Sequence, residues 1–272
     1  MKILSKITPA ETKLIKDTNS LELKDLMKYT FMDLLLKKVI EIKEVRRKAH
    51  PRDRQIRTYT YVVSGKNFNK YKPKNHESIY LSPFLKNISI QILFKHFIKM
   101  SYDSANGNWN YIKLIRSNRE INNLFKQTFW SNIFRTNKLN ESGISQKNGI
   151  SNYLNEIDQN IDNLLNNNTA KGLELLLSIG GNIFLLKNLD FQLLKKIDKE
   201  LIKQQRLLNN DSYDSDSDWW LYMDFFEDDY MFDSYFDSFD NTIDSFDSEF
   251  DSSGCSSCDS GCSSCGGCGG CD

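Results

Sequence analysis

Hydrophobic residues recur at helical spacing near the start of the chain. Thr8, Pro9 and Glu11 have the sequence of a capping box with a proline in the first turn, which predicts a helix that runs to about residue 16. A second short helix is expected from near residue 20, and a third over 29–38, where apolar side chains share one face.

The spacing then changes to that of β-strands. Segments 39–45 and 54–63 are rich in β-branched residues, and a polar segment with Pro51 separates them, so an antiparallel hairpin is predicted. Three helices followed by a hairpin is the order of a winged-helix domain. Residues 1–70 are therefore expected to form a winged-helix-like unit.

The next part of the chain, 71–208, is predicted to be helical and to pack on this unit. After an irregular segment, Ser82 and Pro83 favour the start of a helix over 84–100. Further helices are predicted over 109–134, 150–165, 173–186 and 191–208, with a turn at Asn106-Gly107-Asn108, a loop over 138–147 and a break at Gly180-Gly181. The fold class is mainly α with a small β-hairpin and a disordered C-terminal tail.

The composition changes sharply after residue 208. Segment 209–253 is acidic and aromatic, and contains three seven-residue units, FDSYFDS, FDNTIDS and FDSEFDS, from residue 232 to residue 252. As a helix, the units would form one apolar stripe along an acidic rod. Asp, Ser and Phe are poor helix formers, so disorder is expected, and folding upon binding to the basic body is the alternative.

Charge is distributed very unevenly, although the chain is formally neutral. All 36 basic residues precede residue 207, whereas 17 of the 36 acidic residues lie in 207–272, which leaves 19 in the body. The body thus carries about +17 and the tail about −17. This asymmetry predicts a body that attracts polyanions, with the tail as a competitor for the same surface. The body is also rich in Lys, Asn and Ile, and codon bias is the alternative reason for its charge.

The predicted hairpin loop is the candidate surface for polyanion contact. Six basic residues lie close together there: Arg46, Arg47, Lys48, Arg52, Arg54 and Arg57. In a winged helix this loop would be the wing, which can lie on phosphates. A solvated hairpin tip is the alternative. The apolar 29–38 helix resembles a core helix, which argues against base reading by that element.

All six cysteines lie in the last segment, 254–272. They are Cys255, Cys258, Cys262, Cys265, Cys268 and Cys271, separated only by Ser, Gly and Asp. Thiolates at this spacing could bind a soft metal, but no structured loop separates the pairs as in zinc ribbons. Post-translational modification, disulfide cross-linking or no chemical role are the alternatives, and no other cofactor is predicted.

The sequence contains no recognisable catalytic constellation. His50, His76 and His96 have no adjacent pattern suited to a metal or a triad. There is no apolar signal segment, and the most apolar window, 175–186, is too short to span a bilayer. A cytoplasmic location is expected.

Two stretches of the sequence resemble the opening of an uncharacterised bacterial family. Ile7-Thr8-Pro9-Ala10-Glu11 matches its LTPAE-like helix start, and the 31–42 run FMDLLLKKVIEI matches its helix–strand segment. The apolar 172–181 stretch and the Gly/Cys-rich tail are also similar. The resemblance implies a winged-helix-like domain and no established activity.

A fainter likeness is to the Golgi phosphoprotein domain, which binds phosphoinositide head groups on membranes. It has the same order of helix start and helix–strand segment. Its usual glycine before the strand is replaced here by Lys37-Lys38, and none of its lipid-binding residues is matched.

The expected function is that of a non-enzymatic interaction protein. The alternatives are a peripheral binder of nucleic acid or anionic membrane gated by the tail, and a tail whose cysteines bind metal or are modified.

Overall fold

The computed structural model describes residues 3–18, 21–50, 52, 54–126, 137–187, 239 and 241–242. The helices are α1 (Pro9–Lys16), α2 (Leu23–Leu36), α3 (Ser78–Lys86), α4 (Phe94–Ala105), α5 (Asn108–Arg116), α6 (Arg119–Asn122), α7 (Glu141–Asn167) and α8 (Thr169–Ile179). The strands are β1 (Ile40–Lys48), β2 (Ile56–Ser64) and β3 (Ile92–Leu93). The described residues are therefore mainly helical with a small antiparallel sheet, which confirms the predicted fold class.

The predicted capping box at the start of α1 is confirmed. The backbone N–H of Glu11 donates to Thr8 Oγ1 at 3.3 Å, and the N–H of Thr8 donates to Glu11 Oε2 at 2.7 Å. Pro9 occupies the first turn, where its missing N–H costs no helical hydrogen bond. The start of the helix was therefore readable from local sequence alone.

The second and third predicted helices are one continuous helix, α2. Its apolar side chains follow a single helical period from Leu26 through Phe31 to Leu35, and no glycine or proline interrupts them. Two helices therefore precede the hairpin in the described part of the chain, and the winged-helix arrangement is not confirmed. Most of the second half of α2 is buried, so this helix belongs to the core, as its composition indicated.

A left-handed residue joins α2 to the hairpin. Lys38 has φ +49°, its N–H donates to Leu35 O, and the N–H of Val39 donates to Leu34 O. This is a Schellman motif, in which glycine is the usual left-handed residue. The backbone of Gly65 passes so close that a Cβ there would lie 2.2 Å from Lys38 O.

The hairpin prediction is confirmed, with a third short strand added at its base. β1 pairs with β2 in register from Ile40↔Ser64 to Lys48↔Ile56. Strand β3, which the sequence did not predict, pairs antiparallel with β2 at Tyr61 and Val62. The base of the hairpin is thereby attached to the core, where Ile40 and Val62 have no exposed surface.

The predicted helix over 84–100 is wrong at its start. Pro83 lies inside α3 rather than in the first turn of a helix. Proline has no N–H to donate to the Ile79 carbonyl, and Ser82 Oγ donates to that carbonyl instead. The Asn87 side chain accepts from the Ser89 N–H and turns the chain, so the helix resumes only at Phe94.

Two of the remaining predictions need correction. The helices predicted over 109–134 end at Asn122 within the described residues, and Phe125 pairs with Leu139 in an isolated β-bridge; residues 127–134 lie outside the described part of the chain. The turn at Asn106 and Gly107 is confirmed by their φ values of +52° and +85°, and the helix break at Gly180 by a φ of +60°. The predicted 138–147 loop is wrong, because Asn140 caps α7 by accepting from the Gly143 N–H at 2.8 Å. The long amphipathic helix over 150–165 is confirmed within α7.

A single hydrophobic core joins both parts of the described body. Residues of α1 and α2 share this cluster with residues of α4, α5, α7 and α8. The predicted helix over 191–208, the cysteine segment and the tail disorder lie outside the described residues. Three tail residues, 239, 241 and 242, are described, and Phe239 among them belongs to the core.

We expect Lys38→Gly and Gly65→Ala to change stability in opposite directions. A left-handed conformation costs a non-glycine residue about 1 kcal/mol, so Lys38→Gly should raise the free energy of unfolding by up to about that amount. Gly65→Ala should lower it by about 2 kcal/mol, because its methyl group would collide with Lys38 O. Urea unfolding measures both changes. Asn106→Gly is the control and should gain less, because asparagine tolerates this conformation. If Lys38→Gly lowers the free energy of unfolding instead, the left-handed conformation assigned to Lys38 is contradicted.

Candidate functional site

The outer half of the β1–β2 hairpin protrudes from the body. Every described side chain from 46 to 58 is exposed, whereas the strand ends at the base are buried. The structure brings all six predicted basic residues onto this outer half: Arg46, Arg47, Lys48, Arg52, Arg54 and Arg57. We call these six residues the basic hairpin surface.

The positive charges lie on both faces of the ribbon. Side chains alternate along a strand, so Arg46 and Lys48 share one face and Arg47 lies on the other. Arg47 and Arg57 are directly opposite in the register, an arrangement of like charges that is unfavourable without a counterion. Arg52 lies between the two strands. The ribbon thus presents cations on both of its faces.

Two tyrosines orient Arg47, and the sequence analysis did not single them out. The guanidinium carbon of Arg47 lies 4.8 Å from the ring centroid of Tyr59 and 5.6 Å from that of Tyr61. Arg47 also donates a hydrogen bond to the Tyr61 hydroxyl. The period of two from Arg57 to Tyr59 and Tyr61 places them on one face and could have revealed this stack.

A second cluster of charged groups is buried between α1, α2 and the 71–77 segment. Glu11 is fully buried, and its carboxylate accepts from Lys74 Nζ at 2.6 Å and from Asn118 Nδ2 at 2.7 Å. Lys74 Nζ also donates to Lys6 O at 3.0 Å. Glu11, the glutamate of the capping box, therefore also connects α1 to Lys74 and Asn118, which are far away in the sequence.

Lys37 occupies the other half of this cluster. Its ammonium donates to Asp33 Oδ2 at 2.6 Å and to Tyr71 Oη at 3.1 Å, and lies 3.7 Å from Glu77 Oε1. Burial alone would lower the pKa of Lys37, but Asp33, Tyr71 and Glu77 outweigh it and raise that pKa well above its usual value. Lys37 therefore remains charged.

The two carboxyl groups around Lys37 shift in opposite directions. Burial raises the pKa of Asp33, and the attraction of Lys37 only partly offsets this. Burial acts on Glu77 in the same direction, but Lys37, His76 and the Lys74 N–H bond outweigh it, so the pKa of Glu77 is lowered. The surroundings of Glu77 therefore favour its charged form.

His76 is buried beside Thr8, and sequence spacing could not have shown this. The hydroxyl of Thr8 lies 3.3 Å from His76 Nε2, and both side chains are almost fully buried. No hydrogen-bond partner is found for His76 Nδ1 among the described residues, so no third group orients the ring as in a catalytic triad. The contact joins the N-cap residue of α1 to the segment that precedes α3.

A cleft of about 440 Å³ lies between α7 and α8. Amide and apolar side chains dominate its wall, with Asn160 and Asn163 on α7 and Leu175 on α8. Among the described residues, Glu156 is the one carboxylate that lines it.

The cysteine segment lies outside the described residues, so its metal and modification hypotheses stay predictions. Within the described part of the chain, no group of three or more His, Cys, Asp or Glu side chains is arranged to hold a metal ion. Among these same residues, no helix is both long and apolar enough to cross a membrane.

Burial of His76 predicts a specific loss of stability in weak acid. Burial lowers the pKa of His76, although Glu77 and Glu11 oppose this, so the unfolded chain takes up a proton near its usual pKa of about 6.5 before the folded chain does. The free energy of unfolding should therefore decrease as the pH falls from about 7.5 to about 5.5. Urea midpoints across this range measure the slope.

His76→Gln should flatten this slope, because glutamine does not titrate. His96→Gln is the matched control, since His96 is exposed, and it should keep the slope of the unmodified chain. An unchanged slope in His76→Gln would show that other groups cause the pH dependence.

Comparison with known proteins yields no relative for this chain. No protein-family model matches it, and no curated protein and no solved structure is significantly similar. Its function therefore has to be inferred from the geometry and charge of its own residues.

Proposed function

We propose that this chain is a non-enzymatic interaction protein that binds nucleic acid through the basic hairpin surface. The observation that carries the proposal is the protruding ribbon itself, which is exposed on both faces and bears six cationic side chains. The charge of the body, about +17, provides long-range attraction for a polyanion.

The shape of the hairpin suits a nucleic-acid groove. The major groove of duplex DNA admits a two-stranded β-ribbon, and cations on both faces of such a ribbon can reach the phosphates of both walls. Arg46 and Lys48 would approach one wall, and Arg57 the other. Arg47, already oriented by its tyrosine stack, loses less conformational freedom on binding.

Nucleic acid is favoured over an anionic membrane by the composition of the outer hairpin. Interfacial amphipathic segments add apolar side chains, which enter the lipid beside the cations and strengthen membrane binding. Ile56, with 67% of its surface exposed, is the one large hydrophobic side chain exposed on the described part of the hairpin. The sequence between the strands is polar apart from Ala49 and Pro51.

Removal of three hairpin charges should weaken binding in a salt-dependent way. We expect the triple variant Arg46→Gln, Lys48→Gln, Arg57→Gln to bind a labelled DNA duplex about tenfold more weakly or worse at low salt. Each lost phosphate contact should also lower the slope of log affinity against log salt by about 0.9. Fluorescence anisotropy at several salt concentrations measures both quantities.

The matched control removes three exposed charges elsewhere: Lys86→Gln, Lys138→Gln and Lys171→Gln. It should retain most of the affinity, because the control lysines lie outside the hairpin. If both triple variants lose the same DNA affinity, binding depends only on the net charge of the body, and the basic hairpin surface is not the binding site. Binding to phosphatidylserine vesicles without binding to duplex DNA or RNA would favour the membrane alternative instead.

A further inference from the structure

One aromatic side chain of the acidic tail is part of the core of the body. Phe239 has no exposed surface, and its ring centroid lies 5.4 Å from that of Phe31 on α2. Three body rings surround Phe31 at longer centroid distances, those of Tyr80 at 6.0 Å, Phe94 at 5.8 Å and Phe97 at 6.2 Å. The tail thus provides the ring nearest to Phe31 within this cluster.

Phe31 and the three body rings around it form an aromatic cluster, which Phe239 contacts at Phe31. We call the four body rings the aromatic socket: Phe31, Tyr80, Phe94 and Phe97. They project from three helices, α2, α3 and α4, whose backbones fix their positions. The Tyr80 hydroxyl donates to Met27 O at 2.9 Å, which fixes the ring orientation. A phenylalanine that enters this socket buries about 200 Å² of mainly apolar surface.

Two helices that provide socket rings also carry lysines. Lys24 and Lys28 precede Phe31 by seven and three positions and therefore lie on its side of α2. On α4, Lys95 and Lys99 are exposed. These helices are thus basic, whereas the tail repeat has an aspartate after each apolar residue.

The middle unit of the tail repeat differs from the two flanking units at a position that affects how the unit packs against the body. Three residues after its first phenylalanine, this unit has Thr242, which is half-buried, whereas the flanking units have Tyr235 and Glu249 there. A glutamate at a half-buried position would lose hydration, and a tyrosine is much larger than threonine. These differences favour the middle unit.

We propose that the aromatic socket is a recognition site for a segment of sequence Phe-Asp-x-Thr, and that Phe239 of the same chain occupies it. The site selects this middle unit over the two flanking ones through the pocket for Phe239 and the half-buried position of Thr242. Docking fixes the acidic tail to the body at one point. This proposal does not depend on nucleic-acid binding by the hairpin.

A competition experiment with the full-length chain tests the assignment. A labelled peptide of residues 237–245, whose one aromatic residue is Phe239, is titrated with each protein by fluorescence anisotropy. The unmodified chain should bind it at least about tenfold more weakly than the Phe239→Ala chain, because a covalently attached segment competes at high effective concentration. The Phe246→Ala chain is the matched control and should behave like the unmodified chain.

Peptide variants test the selectivity of the aromatic socket. With the Phe239→Ala chain, a peptide that carries Phe239→Ala should not bind, and one that carries Thr242→Glu should bind at least about tenfold more weakly. Circular dichroism confirms that the Phe239→Ala chain is folded. If it is not, the Thr242→Glu chain replaces it and should likewise bind the unmodified peptide more tightly than the unmodified chain does.

Three results would overturn the proposal. The first is no peptide binding by a folded chain whose own segment has been altered. The second is equal binding by the Phe239→Ala and Phe246→Ala chains. The third is a dimer of the unmodified chain in light scattering that Phe239→Ala converts to a monomer, because the segment would then come from a second copy.

Discussion

Buried charge at the junction of α1, α2 and the 71–77 segment is the constraint on which the described fold depends. Glu11 and Glu77 lie inside the protein, and Lys74 and Lys37 neutralise them at short distances. Removal of one partner from such a cluster leaves an uncompensated buried charge, which typically costs about 3–5 kcal/mol. If α1 and α2 moved away from the 71–77 segment, these charged side chains would lose their partners or become exposed to solvent.

The direction of the hairpin follows from this arrangement. Lys37 belongs to the buried cluster, and the next residue, Lys38, adopts the left-handed conformation that ends α2 and begins β1. Gly65 closes the same junction from the other strand. With its base fixed here and by β3, the hairpin extends away from the body, and its cationic half remains in solvent. One junction thus couples the stability of the core to the position of the candidate binding surface.

Local signals were sufficient where one short segment decides the structure. The capping box at Thr8, the hairpin, the turn at Asn106-Gly107 and the break at Gly180 were all predictable from neighbouring residues. Prediction failed where a contact overrides the local signal. Pro83 continues a helix because Ser82 satisfies the Ile79 carbonyl, and the predicted loop before residue 148 is helical because Asn140 caps it. The six basic residues lie together on the hairpin, as their spacing in the sequence indicated, whereas the tyrosines that orient Arg47 were overlooked.

The sequence by itself determined the helical class, the hairpin, the basic outer strands and the separation of charge between body and tail, because each depends on neighbouring residues or on composition. Only the tertiary structure decided which groups meet across long separations. Thr8 and His76 are 68 residues apart, and Phe31 and Phe239 are more than 200 apart, yet each pair is in contact. Such contacts depend on how complete helices pack around one core, and no local pattern specifies that packing. The burial that turns Glu77 and Phe239 from ordinary polar and tail residues into structural ones therefore became visible only in the fold.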